Sequence, residues 1–116
     1  IISGGPMMGV AVADINSPVI KGTSGLLLLN EKDAALPEES PCIRCGRCAN
    51  VCPIGLVPSL LDAFSRANKL DECEKWHIKD CIECGSCTFV CPAKRYLMQS
   101  LRLAKKAVNQ RGREVR

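Results

Sequence analysis

The sequence predicts a mainly α-helical fold with a small β-rich part at its N-terminus. Three observations predict it. A thirteen-residue cysteine-rich segment occurs twice, an amphipathic helical pattern follows each copy, and the first forty residues mix short apolar runs with Gly and Pro. The chain has 116 residues, 47% of them hydrophobic, which suffices for one or two small domains and a modest core. Only four residues are aromatic, so Leu, Val, Ile and Ala must build most of that core.

Taken in order, residues 1–29 read as turns and strands. Pro18-Val19-Ile20 and Gly25 to Leu29 are apolar but short, and both are expected as strands. The length of the Leu26-Leu27-Leu28-Leu29 run and its flanking Gly25 favour a buried strand over a stub of helix. Residues 30–40 form a polar linker. Residues 41–108 hold the repeats and their helices, and residues 109–116 form a basic tail. No run reaches the roughly 18 apolar residues of a membrane span. No basic-then-apolar signal segment opens the chain. The first residue is Ile and the chain starts mid-pattern, as expected of a fragment of something longer.

The first repeat copy runs from Pro41 to Pro53, with Cys42, Cys45, Cys48 and Cys52. The second runs from Asp80 to Pro92, with Cys81, Cys84, Cys87 and Cys91. The offset is 39 residues throughout, and the Ile, Gly, Val and Pro coincide along with every cysteine. After the first copy, Val57, Leu60, Leu61, Phe64 and Ala67 fall on one face at helical spacing, with Pro58 suited to a first turn. After the second, Leu97, Leu101, Ala104 and Val108 do the same. Asp71 to Trp76 suggests a short helix between the copies, and Gly112 reads as a stop signal.

Nine cysteines in a chain of this length point to disulfides, zinc or iron–sulfur clusters, and spacing decides among them. The run C-x₂-C-x₂-C-x₃-C-P is that of bacterial ferredoxins. Gaps of two let a tight loop wrap one corner of an iron–sulfur cube, while the fourth cysteine starts the next helix and points to the other cluster. This reading assigns Cys42, Cys45, Cys48 and Cys91 to one [4Fe–4S] cluster, and Cys81, Cys84, Cys87 and Cys52 to a second. Gly46 and Gly85 permit unusual backbone angles, and Pro53 and Pro92 fix the turn from loop to helix. A structural zinc module is the alternative, yet zinc sites usually take Cys pairs separated by a dozen or more residues. Disulfides fit less well still, because the cysteine count is odd and the gaps are short.

Cys73 stands outside both runs and reads as a buried free thiol. The one histidine, His77, and the pair Glu72 and Glu74 read as ordinary surface or packed groups. There is no nucleophile–base arrangement, phosphate loop or dinucleotide fingerprint. The expectation is an electron carrier with no catalytic site of its own, since all eight motif cysteines are spent as ligands. Residues 94–116 carry eight Lys or Arg against one Glu, a net of +7, while residues 1–93 carry a net of −3. An acidic partner such as a ferredoxin, an anionic membrane face, or plain solvation of a helix end each fit that charge. A helix leaving Cys91 is expected to turn Arg95, Arg102, Lys105 and Lys106 away from the first cluster. Nucleic acid is disfavoured, with only Tyr96 available for stacking.

Gly4-Gly5-Pro6-Met7-Met8-Gly9, Pro18-Val19-Ile20-Lys21-Gly22-Thr23, the two cysteine runs, and Cys91 to Leu97 together resemble the C subunits of the Rnf (Rsx) family of electron-transport complexes. The resemblance covers nearly the whole chain. It implies a peripheral protein on the cytoplasmic face of a bacterial inner membrane. Its complex moves electrons between ferredoxin and NAD, coupled to sodium or proton translocation. It also implies that FMN and NAD bind in a region N-terminal to Ile1, that residues 1–29 are the later half of a ubiquitin-like β domain, and that residues 41–108 are a helical two-cluster ferredoxin domain. Subunits of heterodisulfide reductase or of succinate dehydrogenase share the cysteine runs, but the N-terminal match argues against them.

Overall fold

A computed structural model describes residues 1–114. The chain divides into two compact units, Ile1–Pro37 and Glu38–Arg116.

In the first unit, β1 (Ile2–Ser3), β2 (Val10–Ala11) and β3 (Leu26–Leu27) form an antiparallel sheet in the order β2-β1-β3. Ile2 lies opposite Ala11 and Leu27, and Ser3 opposite Val10 and Leu26. The turn between β1 and β2 depends on glycine. Gly9 donates its N–H to Gly5 O at 2.8 Å, and a Cβ on Gly9 would collide with that same oxygen. Two strand expectations are corrected. Pro18 to Ile20 form no strand: Pro18 has no N–H for a ladder, and Ile20 instead accepts from Thr23 N–H at 2.9 Å in a turn. Leu26 and Leu27 are a strand, but the leucine run is not buried, with Leu28 71% exposed. Two-residue strands cover too little area to enclose it. Inside the expected linker, α1 (Glu31–Ala34) forms because Asn30 Oδ1 caps it, accepting from Asp33 N–H at 2.9 Å.

The second unit is helical: α2 (Arg47–Val51), α3 (Pro58–Arg66), α4 (Leu70–Lys75), a 3-10 turn at Ile78–Asp80, α5 (Ser86–Val90) and α6 (Leu97–Glu114). The 39-residue repeat survives in three dimensions. α2 and α5 occupy equivalent positions, α3 and α6 start at equivalent residues, and α2 packs on α5. Pro58 opens α3 where its missing N–H costs nothing. The predicted stripe of α6 is buried as expected at Leu97, Leu101, Ala104 and Val108. Leu56, Leu61, Cys73, Ile78, Leu101, Ala104 and Val108 form the core, with Phe64 and Leu70 against it. Ala67, read as the last residue of the α3 stripe, is an exposed C-cap. Gly112 does not stop α6, which runs to Glu114. A glycine ends a helix by turning left-handed, and Gly112 keeps helical backbone. Of the basic tail, residues 109–114 therefore continue the helix, and Val115 and Arg116 lie outside the described residues.

Candidate iron–sulfur site

The two cysteine loops share one backbone course. Arg44 and Glu83, equivalent by the repeat, take left-handed φ values of 54° and 57°. Gly46 and Gly85 follow at 76° and 77° and open α2 and α5. Behind each Cys-Pro, Gly55 and Lys94 are left-handed again, at 77° and 55°. A left-handed residue with a Cβ costs roughly 1–2 kcal/mol, so Arg44, Glu83 and Lys94 mark loops held in shape by what surrounds them. The turn aims amides at sulfur: Arg44 N–H donates to Cys42 Sγ at 3.4 Å, and the Glu83 amide makes the equivalent bond to Cys81.

Each loop borders a cavity, and each cavity takes one cysteine from the other repeat. The first is lined by Cys42, Cys45 and Cys48 with Cys91, and the second by Cys81, Cys84 and Cys87 with Cys52. Their volumes, mouths included, are close at about 350 and 380 Å³. The other walls are largely apolar: Ile43, Ala93 and Leu97 at the first, Ile82, Leu56 and Leu101 at the second. All nine cysteines are free thiols. Among the described residues no three His, Cys, Asp or Glu side chains converge on the position of one ion; the thiols ring a volume instead.

Burial raises the Cys81 thiol, and pushes Cys87 up to about 11. Cys84 goes the other way, because its hydrogen bond with the Ser86 hydroxyl at 3.4 Å favours the thiolate. Metal ligation needs thiolates, so filling the second cavity would release protons. Cys73 joins neither cavity. It is fully buried in the core, as expected from sequence of a free thiol outside the runs, and burial raises its pKa. His77 is an exposed left-handed residue ahead of the 3-10 turn.

A network that sequence reading missed holds the first loop in place. Asp62, 3% exposed on the buried side of α3, accepts from Arg66 Nε at 2.7 Å and from Arg95 Nη2 at 2.8 Å. Arg66 also grips Glu39, whose carboxylate accepts the Tyr96 N–H at 2.8 Å. Those bonds hold the Glu39 pKa down at about 2. Next door, Ser40 N–H donates to Ala93 O at 2.9 Å. Residues 39–40 are thereby tied to residues 93–96, which brings Cys42 beside Cys91. The only signal in the sequence was an Asp beside Leu61 in an apolar stripe, four residues before an Arg. The expectation that Arg95, Arg102, Lys105 and Lys106 turn away from the first cluster is corrected for Arg95, which lines the first cavity. Arg102 Nε donates to Glu83 at 2.8 Å, and Lys105 Nζ to Cys81 O at 2.6 Å, both on the second loop. Of the four, Lys106 is exposed.

Residues 41–96 match the protein family described as a 4Fe-4S dicluster domain. The chain is 53% identical over 108 residues to the C subunit of the Na(+)-translocating ferredoxin:NAD(+) oxidoreductase complex of Acetobacterium woodii, covering 93% of this chain and 24% of that protein. The chain is homologous to the Rnf-type C subunits. The C subunit of the proton-translocating ferredoxin:NAD(+) oxidoreductase complex of Clostridium ljungdahlii is 51% identical, over 90% of the chain and 23% of that protein. In Methanosarcina acetivorans, the C subunit of the ion-translocating oxidoreductase complex is 41% identical, over 99% of the chain and 26% of that protein. This C-subunit homologue thus spans about a quarter of the length of these relatives. Among its described residues no helix is long and apolar enough to cross a membrane.

Proposed function

We propose that the chain holds two [4Fe–4S] clusters and passes electrons between them, within a membrane-associated complex that moves electrons between ferredoxin and NAD and couples this to ion translocation. Cys42, Cys45, Cys48 and Cys91 ligate one cluster, and Cys81, Cys84, Cys87 and Cys52 the other. The observation that carries this reading is the grouping of thiols: each cavity collects three cysteines of one loop and the fourth of the other. Such clusters supply one-electron chemistry at potentials set by their surroundings. The chain's residues do the rest. The Arg44 and Glu83 amides point at sulfur, the apolar walls limit water, and the α2–α5 contact holds the two sites side by side. On this reading FMN and NAD belong to the remainder of a full-length protein of this family. The chain is peripheral on the cytoplasmic face of the membrane, held by the other members of the complex and reached by ferredoxin.

Iron and sulfide analysis of anaerobically purified protein tests it, with about eight of each expected per chain. Stoichiometric zinc from iron-replete cells would overturn it. Cys52→Ser should perturb the cluster of the second loop and Cys91→Ser that of the first. Spectra in which each fourth cysteine serves its own loop would refute the crossing.

A further inference from the structure

The internal repeat supplies its own control, because every side chain at one site has a counterpart 39 residues away at the other. Two pairs of counterparts with both members lining a cavity differ in charge. At the left-handed loop position Arg44 lines the first cavity and Glu83 the second. Behind the Cys-Pro turn Arg95 lines the first cavity, and its equivalent at the second is the buried, uncharged Leu56. Arg95 is fixed there, 17% exposed and bonded to Asp62. Asp62 offsets part of its charge, as Arg102 and Lys105 offset part of that of Glu83. These partners differ between the sites as well, Asp62 answering to Leu101 and Arg102 to Ala63, but of the charged groups in these two networks only Arg95 and Glu83 line either cavity. Solvent adds to the contrast. Cys42 and Cys45 are exposed, whereas none of the four cysteines at the second cavity is.

We infer that the two sites are unequal electron holders, and that Arg44 and Arg95 make the site of Cys42, Cys45, Cys48 and Cys91 the one where the electron rests. The inference depends on the two-cluster reading above. An added electron takes the formal charge of a thiolate-ligated cluster from −2 to −3. Nearby cations and water favour that change, while a carboxylate and apolar walls oppose it. An electron supplied by a low-potential one-electron donor therefore leaves the second site, which is oxidised, and reduces the first. No proton moves and no bond is made or broken. Arg44 within the first cysteine run and Arg95 just ahead of α6 give the chain a polarity that the repeated cysteines alone do not have.

The test is a redox titration of the whole, anaerobically loaded chain, followed by the paramagnetic signal of the reduced clusters. Two one-electron steps are expected, separated by at least tenfold in affinity for the electron, about 59 mV for a one-electron couple. Arg44→Glu, an exposed change that gives the first loop the charge of the second, should lower the upper step by about fivefold and leave the lower step in place. Arg95→Leu, which installs the counterpart residue, should shift the same step in the same direction, and Arg95→Lys should restore most of it. If Arg95→Leu fails to fold, Arg44→Glu decides alone. A single unresolved step, or an Arg44→Glu shift confined to the lower step, overturns the inference. An iron count well below eight in the unsubstituted chain is a separate failure, and overturns the two-cluster reading instead.

Discussion

Asp62→Asn should be the most damaging conservative change in the helical unit. The Asp62 carboxylate is 3% exposed and accepts from two guanidinium groups, at 2.7 Å from Arg66 and 2.8 Å from Arg95. Asn keeps the volume but removes the charge. Losing one partner of a buried ion pair typically costs about 3–5 kcal/mol, because the other charge stays buried unpaired. Arg66 keeps Glu39 and is 40% exposed, so its half of the pairing counts for little. Arg95, 17% exposed, bears most of the loss, and the expected cost is at the lower end, about 3 kcal/mol. For a unit of this size that is a fall of roughly 12–24 °C in melting temperature. Far-UV circular dichroism melts of the loaded wild-type and Asp62→Asn chains measure it. Asp62→Asn combined with Arg95→Leu should recover part of the loss, since it removes the stranded charge. A fall of under about 4 °C for Asp62→Asn, or no recovery in the double variant, would show that water already screens the pair.

Acid should loosen the same region. Glu39 has a folded pKa of about 2 against 4.5 for an ordinary Glu, so its contribution is present above about pH 4.5 and is lost as pH falls toward 2. Glu39→Gln should flatten that part of the stability–pH curve, and urea midpoints taken from pH 6 down to pH 2 will show whether it does. Cys73→Ala should leave iron and sulfide content unchanged while lowering stability by about 1–2 kcal/mol through the small cavity it opens; iron loss in that variant would make Cys73 a ligand after all.

The parts of the fold legible in the sequence were those set by spacing. The repeat announced itself through eight coincident residues, and the buried stripe of α6 followed from the 3.6-residue period of Leu97, Leu101, Ala104 and Val108. What spacing does not encode was missed. Glu39, Arg66 and Tyr96 are far apart in the chain, and their meeting depends on how the segment before Cys42 lies along the start of α6. Arg44, Glu83 and Lys94 take left-handed backbone that tertiary context imposes and residue type disfavours. Gly112 carried a true propensity that the local backbone did not use. Leu26 to Leu29 had the composition of a core strand without enough neighbouring chain to cover it.

The exchange of fourth cysteines has a topological consequence. Cys52 and Cys81 meet at one cavity and Cys42 and Cys91 at the other, so the two closures are nested, one loop of chain inside another. The entropic cost of closing a loop depends on the length still free, rising by about 0.6 kcal/mol for each doubling. Once Cys52 and Cys81 are pinned around α3 and α4, only the short flanks 42–52 and 81–91 remain to be ordered for the outer closure. If the clusters bind as proposed, the inner site acts as a clasp that shortens the path to the outer one. Severing the clasp at Cys52 therefore loosens the enclosing loop as well, although Cys52 lines only the inner cavity.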